Sequence, residues 1–289
     1  MASIISLKRR IKAAENVSKT TKAMQMIAAS KLKRAQNAAL LSRPYSEKLI
    51  LLLKSITEKL EQKFYHDYMK FPKNTEKNLL IIFAPDKGLC GGLIGNIKEG
   101  IWNYDLKFPD SFYLTVGKKI ERHVSNIRKE LVGAFKFGTT LPSFDMVFPI
   151  VAIINDYFLS AKAKTVKILY SRFLNVFSQS QEIINLLPVQ IQEESAINLQ
   201  TKNTIFEPSI KKVLPPLLKH YIETTIYHAL LEYYASEQAA RMISMQNATN
   251  NALEITSDLK LEYNKKRQEK ITNEILDIEG AQFSYQYGK

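Results

Sequence analysis

Three closely spaced glycines follow the first strongly hydrophobic run of the sequence, and such a loop can bind phosphate through its backbone amides. They are Gly88, Gly91 and Gly92, in the stretch PDKGLCGGL. A P-loop also needs a Lys and a Ser or Thr after its last glycine, whereas Leu, Ile and Gly follow Gly92. The dinucleotide pattern GxGxxG requires a different spacing. We therefore interpret the cluster as a tight turn with close helix packing, and predict that the chain binds no nucleotide directly.

The remaining residues that could support chemistry are isolated from one another. None of the four histidines lies near a cysteine or a second histidine at the spacing of metal ligands. Adjacent carboxylates such as Glu193 and Glu194 stand in polar stretches typical of solvated surfaces, and the sequence has no GxSxG motif. Cys90 is the only cysteine, which excludes a disulfide within the chain and fits a reducing compartment. The sequence thus predicts no cofactor, no metal and no catalytic residue.

The two ends of the sequence have the pattern of long uninterrupted helices. Residues 1–43 and 217–279 contain neither glycine nor proline, the two residues that most often interrupt a helix. At 1.5 Å per residue the second stretch would be about 95 Å long, which exceeds the width of a single globular domain. We predict an N-terminal helical segment over 1–60 and a C-terminal one over 209–285 that pairs with it.

The middle of the sequence alternates short β-branched runs with helical stretches. The runs NLLIIFAP, FYLTVG, LVGAFKF, TVKILYSRF and NLLPVQI are predicted strands, and MVFPIVAIINDYF lies in a predicted helix. This alternation predicts a compact Rossmann-like α/β domain over 77–208 with a largely parallel sheet. The fold class is therefore α/β, with a long antiparallel coiled coil of the terminal helices beside that domain.

The pairing of the terminal helices is predicted from side chains that recur at steps of three and four. In the N-terminal helix these are Ile4, Leu7, Ile11, Ala14, Ser18, Thr21, Gln25, Ala28, Leu32, Ala35 and Ala39. In the C-terminal helix they are Ile222, Ile226, Ala229, Tyr233, Ser236, Ala240, Ile243, Asn247, Asn250, Glu254, Ser257, Leu261, Asn264, Gln268, Ile271, Ile275 and Ile278. The polar part of this second seam, Asn247 to Ser257, holds helices together poorly in water, so it predicts a further protein around the pair.

The positive charge of the chain is concentrated near the N-terminus. The 41 Lys and Arg residues exceed the 28 Asp and Glu residues, for a formal net charge of +13. The first 43 residues hold ten basic side chains and a single acidic one, Glu15. Such a helix favours nucleic acid, an anionic membrane surface or acidic protein faces as partners. No run of 18 apolar residues is present, so no segment is predicted to span a bilayer.

Four segments resemble the γ subunit of F-type ATP synthase, the central rotor shaft of that enzyme. They are LKRRIKAAENVSKTTKAMQMIAASKLKRAQ, DKGLCGGL, ASEQAARMISMQNATNNA and LEYNKKRQEKITNE, and they occur in the order found in the family. The resemblance covers both terminal helices closely and the central domain loosely. It implies a non-catalytic rotor that couples ion flow through the c-ring to ATP synthesis or hydrolysis on the α and β subunits by rotation.

The resemblance also implies a role for individual residues. Contact with the β subunits is implied for Lys19, Lys22, Met24, Arg241, Gln268 and Thr272. Contact with the c-ring at the foot domain is implied for Phe206 and Glu207, and the family's glycine turn is matched by Gly88, Cys90, Gly91 and Gly92. Three bland alternatives stay open: Met24 packs on the partner helix, Arg241 pairs with Glu237 one turn earlier, and Gln268 packs in the predicted seam.

The partners implied are three α and three β subunits, the ε subunit and the c-ring, with no nucleic acid. Membrane association would be peripheral, on the cytoplasmic side of the cell inner membrane or, alternatively, on the matrix side of the mitochondrial inner membrane. A basic helical nucleic-acid-binding protein is the alternative function, although the N-terminal helix lacks the aromatic residues on which bases stack. A nucleotide enzyme is the third hypothesis.

Overall fold

A computed structural model describes most of the chain, in two compact units. The described residues are 3–57, 65–73, 75–127, 129–190, 206–207 and 209–287, without the side chains of Arg43 and of residues 280–287. One unit comprises Met1–Ile27 with Met242–Lys289, and the other comprises Ala28–Arg241.

The described residues form five helices and five strands, together with two short 3-10 turns at Asp67–Met69 and Phe144–Met146. In chain order the elements are α1 (Ile4–Thr57), β1 (Asn78–Phe83), α2 (Leu93–Lys107), β2 (Ser111–Val116), α3 (Lys118–Asn126), β3 (Glu130–Phe135), α4 (Val147–Leu159), β4 (Thr165–Phe173), β5 (Gln179–Leu187) and α5 (Ile210–Tyr287). The prediction of two long terminal helices and a central α/β part is confirmed. The division into segments 1–60, 77–208 and 209–285 stays a prediction, and part of it falls outside the described residues.

The sheet of the larger unit has the strand order β3-β2-β1-β4-β5. Its first four strands are parallel and β5 runs antiparallel to β4, so the prediction of a largely parallel sheet is confirmed. Every residue of β1 and β2 is buried, as expected for central strands with helices on both faces.

The last strand begins earlier in the chain than predicted, and it is longer than the predicted strand. β5 begins at Gln179, whereas the predicted strand NLLPVQI covers only its final residues. The first half of β5 is the polar stretch QSQE, and its residues are only half-buried because β5 is an edge strand. The hydrophobic run that marks a central strand is therefore absent there.

In the smaller unit α1 and α5 pair in antiparallel orientation. The Thr21 and Thr249 hydroxyl oxygens lie 2.7 Å apart, and Lys260 Nζ lies 2.7 Å from Glu15 Oε1. Residue numbers thus fall along α1 as they rise along α5, which confirms the predicted orientation for this unit. The seven predicted N-terminal seam residues of this unit, from Ile4 to Gln25, are buried or half-buried, as the seam requires.

The predicted C-terminal seam is wrong beyond Ile243. Its members from Asn247 to Ile278 are all exposed, whereas the buried positions are Met245, Thr249, Ala252, Thr256 and Leu259. The cause lies upstream, where residues 233–239 are all buried and the helix is enclosed on every side. An enclosed helix has no single apolar stripe. A seam extrapolated through it at steps of three and four therefore loses its register with the buried positions. The inference of a surrounding protein from a polar seam therefore fails with the seam.

Gly117, which links β2 to α3, provides a sharp test of the packing in the larger unit. Its φ is +123°, and an added Cβ would lie 1.8 Å from the carbonyl oxygen of Ala84. We expect Gly117→Ala to lower the free energy of unfolding by about 3 kcal/mol or more, because the backbone itself would have to move. Chemical denaturation of the full chain measures this change.

Gly95→Ala is the matched control. Gly95 lies in α2, and a Cβ there meets nothing within 4 Å. Alanine has the higher helix propensity, so we expect unchanged stability or a gain of up to about 1 kcal/mol. Equal effects of the two substitutions would contradict the described backbone approach at Gly117.

Candidate functional site

The first candidate site lies at the carboxyl end of β1, where the glycine turn leaves the sheet. β1 is hydrogen-bonded to β2 on one side and to β4 on the other, so the direction of strand succession reverses at this strand. In open α/β sheets such a point is where ligands commonly bind. Here a helix of the same chain covers it: the ring of Tyr233 in α5 lies 6.3 Å from that of Phe83 and 5.1 Å from that of Phe137.

The glycine turn presents carbonyl oxygens to a cation. Arg241 Nη2 lies 3.4 Å from the carbonyl oxygen of Lys87 and 3.5 Å from that of Gly88. A phosphate-binding loop would instead direct its amide groups inward, and the negative ends of two carbonyl dipoles repel an anion. This arrangement supports the interpretation of the cluster as a turn that packs on a helix.

The backbone of the turn explains part of its glycine content. Gly91 has φ +57°, a conformation that glycine adopts without strain, and Leu89 has φ +64°. Gly92 precedes the first residue of α2, and its carbonyl accepts a hydrogen bond from the amide of Asn96. Cys90 is buried, which raises the pKa of its thiol, while the charge of Arg241 acts in the opposite direction.

Arg241 makes its closest contact with Glu237. The guanidinium Nη2 lies 2.7 Å from Glu237 Oε1, and only 18% and 5% of the two side chains are exposed. Burial raises the pKa of Glu237, and the charge and hydrogen bond of Arg241 oppose that rise. The alternative interpretation, in which Arg241 pairs with Glu237 one turn earlier, is thus confirmed as a contact; the implied contact with a β subunit stays a prediction.

The same segment of α5 carries buried polar atoms without hydrogen-bond partners, one of them on Glu237 itself. In the described part of the chain no hydrogen-bond partner is found for Tyr233 Oη, Ser236 Oγ or Glu237 Oε2. Burial raises the pKa of Tyr233 well above its usual value. Sequence analysis placed Tyr233 and Ser236 in a seam and did not identify this cluster; the spacing of Glu237 and Arg241 was its one visible signal.

The second candidate site is the exposed surface of the smaller unit. Lys19, Lys22, Gln268 and Thr272 are exposed, and 40% of Met24 is exposed. The exposed fraction of Met24 does not decide between packing on the partner helix and contact with another subunit, whereas the seam role of Gln268 is wrong. The roles implied by the resemblance for these five residues stay predictions.

These five residues do not form one cluster. Thr21, which lies among Lys19, Lys22 and Met24, contacts Thr249 on α5. Gln268 is 19 residues further along α5, which is about 28 Å at 1.5 Å per residue. The structure therefore provides two separate contact regions along the helix pair of this unit.

A strongly basic region of α1 extends along the helix pair past both of these contact regions. Six cationic side chains of α1 are exposed in this unit: Lys8, Arg9, Arg10, Lys12, Lys19 and Lys22. Glu15 is the acidic residue among them, and it pairs with Lys260, whose hydrogen bond and charge lower the pKa of the Glu15 carboxyl. The region therefore suits a partner surface that carries negative charge.

The predicted foot contacts lie at the edge of the described residues. Phe206 is half-buried and Glu207 is exposed, while their neighbours Ile205 and Pro208 lie outside the described part of the chain. Among the described residues no group of three or more His, Cys, Asp or Glu side chains could hold a metal ion. None of the helices described is both long and apolar enough to cross a bilayer.

The buried ion pair generates a prediction about stability. We expect Arg241→Met to lower the free energy of unfolding by about 3 kcal/mol at neutral pH, because it leaves a buried carboxylate unpaired. The double substitution Glu237→Met with Arg241→Met should cost less than Arg241→Met alone, since no charge is then buried. Denaturant titration of the full chain, of the two single variants Arg241→Met and Glu237→Met and of the double variant measures the coupling energy between the two side chains.

The pH dependence has a defined sign. Without Arg241 the pKa of Glu237 rises further, so the folded state takes up a proton at a higher pH than the unfolded state does. The deficit of Arg241→Met relative to the wild type should therefore shrink as the pH falls from 7 through the raised pKa. A deficit that is the same at all pH values would argue against an unpaired carboxylate.

Comparison with known proteins identifies the family. A family model described as ATP synthase matches residues 3–282. The ATP synthase gamma chain of Dehalococcoides mccartyi (strain CBDB1) is 39% identical over 285 residues, which cover 97% of this chain and 98% of that protein. The gamma chain of Ruthia magnifica subsp. Calyptogena magnifica is 34% identical over 282 residues, which cover 96% of this chain and 98% of that one.

Solved structures show the same fold. A chain of the Euglena gracilis mitochondrial ATP synthase, in a structure of OSCP, F1 and the c-ring, has a TM-score of 0.70 at 19% identity, with 99% of this chain and 95% of that chain covered. A chain of the Tetrahymena thermophila mitochondrial ATP synthase central stalk and c-ring has a TM-score of 0.60 at 23% identity, with 79% and 99% covered. The chain described here therefore belongs to the ATP synthase gamma chain family, the central-stalk subunits of F-type ATP synthase.

Proposed function

We propose that this chain is the non-catalytic rotor that couples ion flow through a membrane c-ring to ATP synthesis or hydrolysis on a ring of three α and three β subunits. The observation that carries the proposal is the antiparallel pair of α1 and α5 in the smaller unit, with its exposed basic and apolar residues. Family membership supports the same role.

The end of α5 supports enclosure by other subunits. Four large apolar side chains there are between 46% and 62% exposed: Ile271, Ile275, Leu276 and Ile278. Apolar side chains clustered on the surface mark sites of contact with other proteins. A ring of α and β subunits around this part of the helix would cover them.

The basic region of α1 would supply the electrostatic part of the coupling. Lys19 and Lys22 flank Met24, and all three are exposed. Acidic levers on the β subunits would be attracted to this region at some angles of rotation and not at others. Gln268 and Thr272 would add polar contacts with the catalytic subunits at the second region of the same helix pair.

Rotation would act on the catalytic subunits through these differences in contact. A ligand or partner shifts a conformational equilibrium only by its difference in affinity for the two states. An asymmetric rotor offers each β subunit a different surface at each angle, so it would favour the open and closed states of the three catalytic sites in turn.

The remaining assignments concern the membrane side and the nucleotide. Phe206 and Glu207 would contact the c-ring, and the ε subunit would bind beside the α/β part of the chain. ATP would bind to the α and β subunits and not to the glycine turn, which directs carbonyl oxygens toward Arg241. The chain would be peripheral at the cytoplasmic face of a bacterial inner membrane.

Co-purification tests the assembly. A tagged full-length chain, expressed in the presence of α, β and ε subunits, should recover all three together with ATPase activity. Recovery of nucleic acid instead, released by raising the salt concentration, would overturn the proposal in favour of a basic nucleic-acid-binding protein.

A substitution at Met24 tests the coupling. We expect Met24→Lys to assemble normally but to slow coupled ATP synthesis by about fivefold. The added ammonium would gain an attraction of about 1 kcal/mol at one angle, and the rotor would have to break it before it turns on. ATP synthesis and ATP-driven proton pumping in inverted membrane vesicles measure the effect.

Met24→Leu is the control, because it keeps the size and the apolar character of the side chain. It should retain wild-type synthesis and pumping. Wild-type coupling in Met24→Lys would show that Met24 does not face a charged partner surface.

A further inference from the structure

We propose that Arg241, held by Glu237, is a positioning residue that fixes the glycine turn onto α5. We call the arrangement of Glu237, Arg241 and the carbonyl groups of Lys87 and Gly88 the turn latch. Its consequence for rotation rests on the proposed function, but its existence does not.

The geometry of the latch places one guanidinium nitrogen among three oxygens. Arg241 Nη2 lies 2.7 Å from Glu237 Oε1, 3.4 Å from Lys87 O and 3.5 Å from Gly88 O. The carboxylate provides the strong contact and thereby sets the position of the guanidinium. The two longer contacts are then directed at the turn, with most of the arginine side chain out of water.

The turn has anchors on both sides of the latch. Before it, the Asp86 carboxylate accepts hydrogen bonds from the amides of Lys118 at 2.9 Å and Gly138 at 2.7 Å. After it, the amide of Leu93 donates to the carbonyl of Cys90 at 3.3 Å.

Between these anchors Arg241 is the donor that holds the turn. Within the described part of the chain, the hydrogen bonds to residues 87–89 come from Arg241. Packing adds little there, since 60% of Leu89 is exposed and a Cβ on Gly88 would meet nothing within 4 Å. Loss of the guanidinium would therefore free this segment while both anchors remain.

The latch joins α5 to the α/β part of the larger unit. The turn connects β1 to α2, so its backbone is continuous with the central strand of the sheet. If the chain is a rotor, force between the sheet and α5 passes through such contacts. The latch adds to them a polar tie with a defined direction, which apolar packing lacks.

Cys90 supplies a direct readout of the latch. It is the only cysteine, it lies next to residues 87–89, and only 1% of it is exposed. A thiol reagent can therefore react with the native chain only when the turn opens or the chain unfolds. The rate of labelling in the isolated full-length chain reports that opening.

We expect Arg241→Gln to accelerate labelling of Cys90 by about tenfold or more, because the turn loses its charge-assisted hydrogen bonds. Arg241→Lys and Glu237→Gln should give intermediate rates, since the first keeps a charge without the fork and the second keeps an acceptor without the charge. The direction of the change in labelling rate distinguishes opening of the turn from a change in the pKa of the thiol. Removal of the Arg241 charge by itself raises the pKa of Cys90 and would slow the reaction.

Lys266→Gln is the matched control. It removes an ion pair with Glu269 on the same helix, 3.0 Å long, and should leave the labelling rate unchanged. Urea dependence separates local opening from unfolding: labelling through the turn should vary little with urea, whereas labelling through global unfolding rises steeply. An unchanged rate in Arg241→Gln, or an acceleration with the urea dependence of global unfolding, would overturn the proposal.

A second experiment measures, in the assembled enzyme, the ratio of protons pumped to ATP molecules hydrolysed. We expect the ratio to fall in Arg241→Gln and to be partly restored in Arg241→Lys. If the wild-type chain does not assemble with α and β subunits, the proposed function is refuted and the labelling result stays valid. Fast labelling with normal pumping supports the latch and refutes its role in rotation.

Discussion

The contact between residues 233–239 of α5 and the carboxyl end of β1 is the constraint on which the larger unit depends. Seven consecutive residues of a helix are buried there, so this part of α5 belongs to the core of the α/β fold. The rings of Phe83, Phe137 and Tyr233 provide much of that contact. The place where related sheet architectures bind a ligand is thereby filled from within the chain.

This arrangement explains why a glycine-rich turn after a first β-strand does not indicate a nucleotide site here. The turn has the position in the fold that a phosphate loop would have, but its carbonyl groups face a cation from α5. The buried carboxylate of Glu237 keeps that cation in place, and Arg241 is the main group that offsets its desolvation, with a smaller contribution from the charge of Lys31. A substitution at either residue therefore changes both the helix and the turn.

Sequence analysis predicted the elements whose signals are local. The absence of glycine and proline predicted the two long helices, and the β-branched runs predicted the four parallel strands. It failed where the environment of a residue is set by distant parts of the chain. The buried positions of α5 shift phase after its enclosed segment, so Asn247 was assigned to the seam in place of Met245 and Thr249. The polar edge strand β5 gave no signal until its last residues. The contact of Arg241 with Lys87 and Gly88 spans about 150 positions, and its spacing to Glu237 was all that the sequence offered.

The exposed apolar end of α5 favours self-association of the chain before it binds its partners. Ile271, Ile275, Leu276 and Ile278 lie on a helix that no described part of the smaller unit covers. A newly made copy therefore exposes an apolar surface, and free copies at high concentration would self-associate through it. Synthesis of this chain in step with its binding partners would keep that surface out of reach of other copies.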